Sequence, residues 1–331
     1  MNQPLVTIVI AAYKSQPEYL SAALESAVCQ TWREVEVIVG DDSPDQTLRE
    51  VVASFNDPRI IYRHNRPSLG VARNHWTRFR EARGEYIAVL NHDDCFAPTF
   101  LERLVPPLEQ HPELALAFCD QWIIDAEGKV LLEETEKQSA GYKRAQLAEG
   151  VHRPLFGLVG SETIELVRGT VFRRKLLPAI LPDDAGPAYD MRLTYLLCKN
   201  GLGAFYTSDR LHNYRYHADM LSRRLGVDGW LAVARSWREI SCDRNFALVH
   251  RTARHKVSQA YVQCALASYR EDQRWDSFLF GVQSLRMVPS FQGMGACFLP
   301  LLPQSVVDRL LLLRRWVTSD PGSDRYRRLA A

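Results

Sequence analysis

The sequence predicts an α/β fold: a doubly wound, mostly parallel sheet over residues 1–224, followed by a helical C-terminal region over residues 225–331. Two observations carry this expectation. Over the first 130 residues, short runs that are apolar throughout alternate with segments of helical period, the pattern of strands buried on both faces and joined by crossover helices. Each of the first four strand-like runs also ends in polar or charged residues, and in a parallel sheet such ends share one edge, where ligands bind.

The first run, LVTIVIAAY, is rich in β-branched residues and reads as a strand. Residues 17–30 read as a helix opened by Pro17, whose fixed φ suits the first helical position. EVEVIVG is then a strand, QTLREVVASF a helix, RIIYRHN a strand and residues 69–82 a helix. EYIAVL is a strand, residues 98–110 a helix and ALAFCDQWII a strand. Beyond residue 130 the pattern loosens. GKVLLEETEKQSAG reads as a hairpin or mobile loop, IELVRGTVFRR as strand-like, and YDMRLTYLLCKNG as an amphipathic helix closed by Gly201. GAFYTSDRLHNYRYH is a last strand, and residues 228–242, 250–286 and 304–317 are helical.

At 331 residues and 46% hydrophobic, the chain is long and apolar enough for a full core. Its 7 cysteines form an odd set with no C-x-x-C pair, which speaks against a disulfide framework and a structural zinc site, and for a reducing, cytoplasmic setting. The N-terminus lacks a basic region and a cleavage site, so it reads as a strand and not a signal peptide. No apolar stretch reaches the roughly 18–20 residues of a spanning helix.

The net charge of +2 divides unevenly: residues 225–331 hold 15 Lys and Arg against 9 Asp and Glu, and the front of the chain is net acidic. In PQSVVDRLLLLRRWV, residues 303–317, Val306, Leu310, Leu313 and Val317 share a helical face beside Arg309, Arg314 and Arg315. Such a segment fits peripheral contact with the inner face of an anionic membrane, contact with a second subunit, or packing on the first domain; all three stay open. No nucleic-acid partner is expected.

The chemistry concentrates in EYIAVLNHDD, residues 85–94, and in GDDSPD, residues 40–45. Adjacent carboxylates repel and resist desolvation, so a cation or hydroxyl-rich ligand is expected at these strand ends. A divalent cation such as Mg²⁺ or Mn²⁺ is the first candidate, because carboxylate oxygens suit a hard cation. AAYKSQPEY contains no glycine, and neither G-x-x-x-x-G-K-[ST] nor G-x-G-x-x-G occurs. That speaks against a P-loop NTPase and a dehydrogenase, and makes a nucleotidyltransferase the weaker enzyme alternative.

Taken in order, VTIVIAAYKS, ALESAVCQTWREVEVIVGDDSPDQT, NRPSLGVARN, GEYIAVLNHDD, YDMRLTYLLCKNG and YRYHADMLSRR resemble a family 2 glycosyltransferase of the GT-A fold, from residue 4 to about 224. The resemblance implies an inverting, metal-dependent transfer of a sugar from a nucleotide donor, UDP-linked, to a hydroxyl of a saccharide or lipid-linked saccharide, as in the assembly of bacterial surface polysaccharides. It places Ala11 and Tyr13 against the nucleotide base, Asp42 on the base edge, Asp41 in the supporting turn and Arg73 near base and phosphates. Asn91-His92-Asp93 stands where the family has Asp-x-Asp, so Asp93 contacts ribose or metal and Asp94 is the main metal ligand. His217 is placed near metal and diphosphate, with Arg215, Ser222, Arg223 and Arg224 as candidates to close over the diphosphate. Asp190, at the start of a helix, matches the general base, with Asp184 as the second candidate. Two departures, Asn91 in place of an acid and Ala188 before Tyr189-Asp190, motivate a non-enzymatic alternative: a degenerate domain that only binds a partner.

Overall fold

The computed structural model describes residues 3–179, 183–217, 225–303 and 305–307; the side chains of Asp183 and Asp184 fall outside that description. The chain divides into two compact units, Met1–Tyr216 and His217–Ala331. Residues 218–224, which separate this division from the expected one at 224/225, are outside the described residues.

In the first unit the elements alternate as β1 (Val6–Ala12), α1 (Pro17–Val28), β2 (Val35–Asp41), α2 (Thr47–Ser54), β3 (Ile60–His64), α3 (Val71–Glu81) and β4 (Tyr86–Asn91). There follow β5 (Cys95–Phe96), α4 (Phe100–Gln110), β6 (Leu114–Ile124), α5 (Leu132–Gly141), β7 (Gly150–His152), α6 (Phe156–Gly160), β8 (Thr170–Arg173), α7 (Tyr189–Cys198) and β9 (Gly203–Arg215). The strands form one sheet in the order β3-β2-β1-β4-β8-β6-β9-β5, with β7 also on β9. β3, β2, β1 and β4 run parallel, as do β6 and β9, while β8 lies antiparallel between β4 and β6. The sheet is thus the mostly parallel one that the alternation predicts, with an antiparallel strand at its middle. Val6, Ile8 and Ile10 point to one face and Val9 to the other, and all four are fully buried, which is why β1 reads as apolar throughout.

Two expectations change here. GKVLLEETEKQSAG begins as a turn, with Val130 bridging Ile124, and then becomes the helix α5 rather than a hairpin or loop. Glu133 and Glu134 in its first turn suit the helix dipole, and Thr135 ties it to the sheet by accepting from the Ile123 amide at 3.0 Å and donating to the Leu131 carbonyl at 2.9 Å. IELVRGTVFRR is strand only over Thr170–Arg173.

The second unit contains α8 (Val227–Cys242), α9 (His250–Arg270), α10 (Arg274–Met287) and α11 (Phe291–Phe298). The expected helix over 250–286 is two helices, because Asp272 takes a left-handed φ of 58° and the Gln273 amide turns back to the Ser268 carbonyl at 2.8 Å. A Cβ on Gly281 would lie 2.6 Å from the backbone nitrogen of Cys297, so α10 and α11 approach at backbone distance. Among the described residues no helix is long and apolar enough to cross a membrane. The expected helix at 304–317 lies almost entirely outside them.

Candidate active site

Strand register builds the edge. Ala11 of β1 is level with Gly40 of β2 and Asn91 of β4, and Asp41 is level with Ala12 of β1 and His64 of β3. Four polar strand ends therefore meet where the sequence places them. Cross-links then hold them: the Lys14 amide donates to Ser43 Oγ at 2.8 Å, Ser15 Oγ and His92 Nδ1 share a hydrogen bond of 2.9 Å, and the His64 ring donates to the Ser43 carbonyl at 2.9 Å. Tyr13 stands 52% exposed on this edge with the Lys14 ammonium 5.3 Å from its ring centre, while Ala11 is nearly buried.

The four carboxylates here have different surroundings. Asp41 is buried and accepts from the Ser43 amide at 2.9 Å and the Tyr62 hydroxyl at 2.6 Å, which closes the turn after β2. Asp42 is also buried, and its two oxygens accept from the Leu69 and Gly70 amides and Ser68 Oγ, each at 2.7 Å, and from Asn65 at 3.1 Å. Burial alone raises its pKa, but these donors outweigh it and hold the carboxyl below its usual value. These bonds pin the 65–70 loop to the end of β2.

That loop delivers α3 to the edge. Asn74 donates to the Gly40 carbonyl at 2.7 Å, and a Cβ on Gly40 would sit 2.3 Å from Asn74 Oδ1, so only glycine admits the helix this close to β2. Arg73 is exposed on the first turn of α3.

Asp94 is fully buried. Its Oδ1 accepts from the Arg215 amide at 2.8 Å and its Oδ2 from the Asn91 side-chain amide at 2.9 Å, with His212 Nε2 at 3.4 Å. This explains Asn91: an amide donates to the neighbouring acid, where a second carboxylate would repel it. Arg215 likewise serves as a brace, with Nε on the Asp93 carbonyl at 2.8 Å, Nη1 on the carbonyls of Asp125 and Ala126, and its guanidinium 4.6 Å from the Tyr19 ring centre. Buried and engaged in this way, it is not the diphosphate clamp expected from the sequence. Asp93 is the partly exposed member of the acidic pair. His217 is the first residue of the second unit, Ser222, Arg223 and Arg224 lie outside the described residues, and the geometry given is that of the first unit.

Asp190 occupies the first turn of α7 and is partly exposed. Desolvation by the surrounding protein, with repulsion from Glu165, nevertheless pushes its carboxyl up to about 6, against a smaller opposing pull from Arg168. Arg168 Nε lies 2.7 Å from Glu165 Oε2, and its guanidinium sits 4.2 Å from the ring centre of Tyr214. Tyr214 is raised by burial first, and also feels the charges of Asp94, Asp93 and Glu165.

Beside Asp190, Tyr189 donates its hydroxyl to His75 Nε2 at 2.9 Å and stacks on that ring at 4.4 Å, while His75 Nδ1 donates to the Val71 carbonyl at 2.9 Å. Burial pushes His75 down to about 4, so it is neutral and its Nε2 accepts. Glu165, Arg168 and the His75–Tyr189 pair were not singled out as functional from the sequence. A glutamate and an arginine three apart in an otherwise apolar run was the available signal for the first two.

The fold and edge define a doubly wound α/β protein with a candidate nucleotide site at its strand ends. Residues 7–154 match the family model described as glycosyl transferase family 2, and this segment of the first unit is a family 2 glycosyltransferase domain with the GT-A fold. It is 32% identical over 136 residues to an uncharacterized glycosyltransferase of Methanocaldococcus jannaschii, covering 40% of this chain and 47% of the relative. It is 33% identical over 105 residues to the Escherichia coli UDP-Glc:alpha-D-GlcNAc-diphosphoundecaprenol beta-1,3-glucosyltransferase WfaP, covering 32% of this chain and 41% of that one. The chain thus spans less than half the length of either relative. Among solved structures, S. aureus TarS 1-349 in complex with UDP-GlcNAc superposes with a TM-score of 0.65 at 16% identity over 86% of this chain and 82% of that one, a likeness of fold.

Proposed function

We propose that the protein transfers a sugar from a nucleoside diphosphate donor, UDP-linked, to a hydroxyl of a saccharide or lipid-linked saccharide, in one displacement that inverts the anomeric centre. The observation that carries this reading is Asp190, a carboxylate whose surroundings raise it to about 6, so that at neutral pH it is ionised yet basic enough to take a proton. In this reading the acceptor hydroxyl gives its proton to Asp190 as its oxygen attacks the anomeric carbon, and the diphosphate leaves from the opposite face. Tyr13 offers an exposed ring to the base, with Ala11 beneath it, and Arg73 offers a cation to the phosphates. Nucleotide-sugar use by WfaP and the UDP-GlcNAc complex of TarS support a UDP-linked donor, and the diphosphoundecaprenol-linked acceptor in the name of WfaP supports a lipid-linked one.

Among the described residues no group of three or more metal-ligating side chains comes together. One partly exposed carboxylate, Asp93, backed by a buried one, Asp94, still fits Mg²⁺ or Mn²⁺, which draws its remaining ligands from phosphates and water. Asp93 is the residue to hold the ion and Asp94 the residue that fixes the strand end. The ion would supply positive charge to the departing diphosphate. His217 is the remaining candidate ligand, tested by His217→Ala.

The second unit exposes Phe291 (88%), Met294 (43%) and Phe298 (61%) at helical spacing on α11, and this face supports peripheral attachment to a membrane carrying the acceptor, on the cytoplasmic side. Titration calorimetry with UDP, GDP and dTDP, with and without Mn²⁺, tests the donor reading. Metal-dependent UDP binding that Asp93→Ala abolishes is the expected result. Absence of nucleotide binding by the folded protein would favour the degenerate binding module.

A further inference from the structure

α3 and α7 come from distant parts of the chain and meet through one buried pair. His75 is 2% exposed and Tyr189 4%, and they are 114 positions apart. The Tyr189 hydroxyl donates to His75 Nε2 at 2.9 Å, and the two rings stack at 4.4 Å with 25° between their planes. The imidazole is fixed in one tautomer, because Nδ1 is committed to the Val71 carbonyl one turn back and Nε2 is left as the acceptor. Burial keeps His75 neutral, and burial with the charge of Asp190 raises the Tyr189 phenol, so the donor and the acceptor both persist at neutral pH. A Phe–Phe stack would fill the same space with no polar atom to satisfy, so packing alone does not call for this pair.

Each end of the pair leads to a different part of the proposed site. α3 starts at Gly70, where the Leu69 and Gly70 amides donate to Asp42, and Asn74 locks the helix to the Gly40 carbonyl of β2. Arg73 and His75 are about 200° apart around the helix axis, so the exposed arginine faces outward and the buried histidine inward. On the other side, Tyr189 is the first residue of α7 and Asp190 the second. The N-cap of α7 is Ala188, which has no side chain to accept from the first turn. The Tyr189 hydroxyl is therefore an anchor for a helix start that lacks its own cap.

We propose that His75 and Tyr189 are positioning residues: their hydrogen bond ties the start of α7, and with it Asp190, to the helix that carries the donor contacts, so that bound nucleotide and base share one frame. This role rests on the reading of the strand edge as the donor site and of Asp190 as the base. Neither side chain touches the reacting atoms.

Hydrogen–deuterium exchange of the full chain, with and without UDP, tests the link with no need of a known sugar or acceptor. UDP is expected to slow exchange of the amides in α7, residues 189–198, by about fivefold or more, because an α3 held by nucleotide holds α7 through Tyr189. Tyr189→Phe and His75→Phe are each expected to abolish that slowing. Calorimetric UDP binding should stay within about threefold of the original Kd, because these amides exchange through a rare opened state. The combined His75→Phe, Tyr189→Phe variant has two rings and no unpaired polar atom, so its melting temperature should return toward that of the unaltered protein while the response of α7 stays absent. A response of α7 that survives both single variants, or returns in the combined one, means that packing suffices and overturns the proposal. UDP binding to the unaltered protein with no response of α7 overturns it too, and leaves the donor reading standing. Absence of UDP binding by the folded, unaltered protein overturns the donor reading, and the link falls with it.

Discussion

Asp42, at the end of β2, and Asp190, at the start of α7, are both acids of the first unit, yet their surroundings drive them in opposite directions. Asp42 meets four donors at 2.7–3.1 Å and is held below its ordinary pKa. Asp190 meets desolvation and the charge of Glu165 and is raised to about 6. The difference teaches that the number of donors around a carboxylate, more than its place at a ligand-facing edge, separates a residue that holds the site from one that can move a proton. Asp93 and Asp94 differ in burial at two adjacent positions: Asp94 is buried and engaged by protein donors, and Asp93 is partly exposed.

The comparison breaks first at Asp190. Asp190→Asn is expected to lower kcat by about 10²–10⁴-fold, the usual worth of a general base. It should also stabilise the fold at pH 7, on the order of 1 kcal/mol once partial exposure is allowed for, because the ionised acid is what the surroundings disfavour. A thermal melt beside a turnover assay reads both effects, and full activity in the folded variant would sink the assignment.

Asp93→Ala is expected to lower metal-dependent donor binding on the order of 100-fold or more. Calorimetric UDP titration with and without Mn²⁺ measures it. A comparable loss in Asp94→Asn, with Asp93 intact, would return the ligand role to the buried acid.

Asp42→Ala leaves the Leu69 and Gly70 amides without their acceptor and should cost about 2–4 kcal/mol of stability. Chemical denaturation reads the change. A near-neutral result would mean that the 65–70 loop holds itself.

The pH dependence sharpens the contrast, with opposite signs. If Asp190 is the base, kcat/KM falls about tenfold per pH unit below its pKa of about 6, because the protonated acid cannot accept a proton. In stability terms its raised pKa favours the folded state at low pH, and that contribution is lost as pH rises from its unfolded value through about 6. Asp42, lowered, contributes stability above its unfolded pKa that is lost as pH falls through its folded one. The smallest expected effect is that of Tyr189→Phe, which removes the bond to His75 and should cost about 1 kcal/mol, with a modest loss of kcat as α7 loosens.

The sequence by itself determined the layers of the fold and the place of the site. Strands such as VTIVIAA are apolar on both faces because helices cover both, and that need is written residue by residue. Parallel strands then bring their carboxyl ends to one edge, so Tyr13, Asp41, Asp42 and the 91–94 segment could be placed together before any coordinates. Short-range order failed at α5, where polar residues without a clear period became a helix through contacts with β6.

Only the tertiary structure decided which of these acids are spent. Hydrogen-bond partners such as Ser68 for Asp42, or the Arg215 amide for Asp94, arrive from positions 26 and 121 residues away, and no local pattern announces them. The rise in Asp190 depends on desolvation and on Glu165, a neighbour 25 positions earlier in the chain, and the His75–Tyr189 pair joins residues 114 positions apart. Hydrophobic period is a property of neighbours along the chain, whereas the state of a buried charge is a property of neighbours in space.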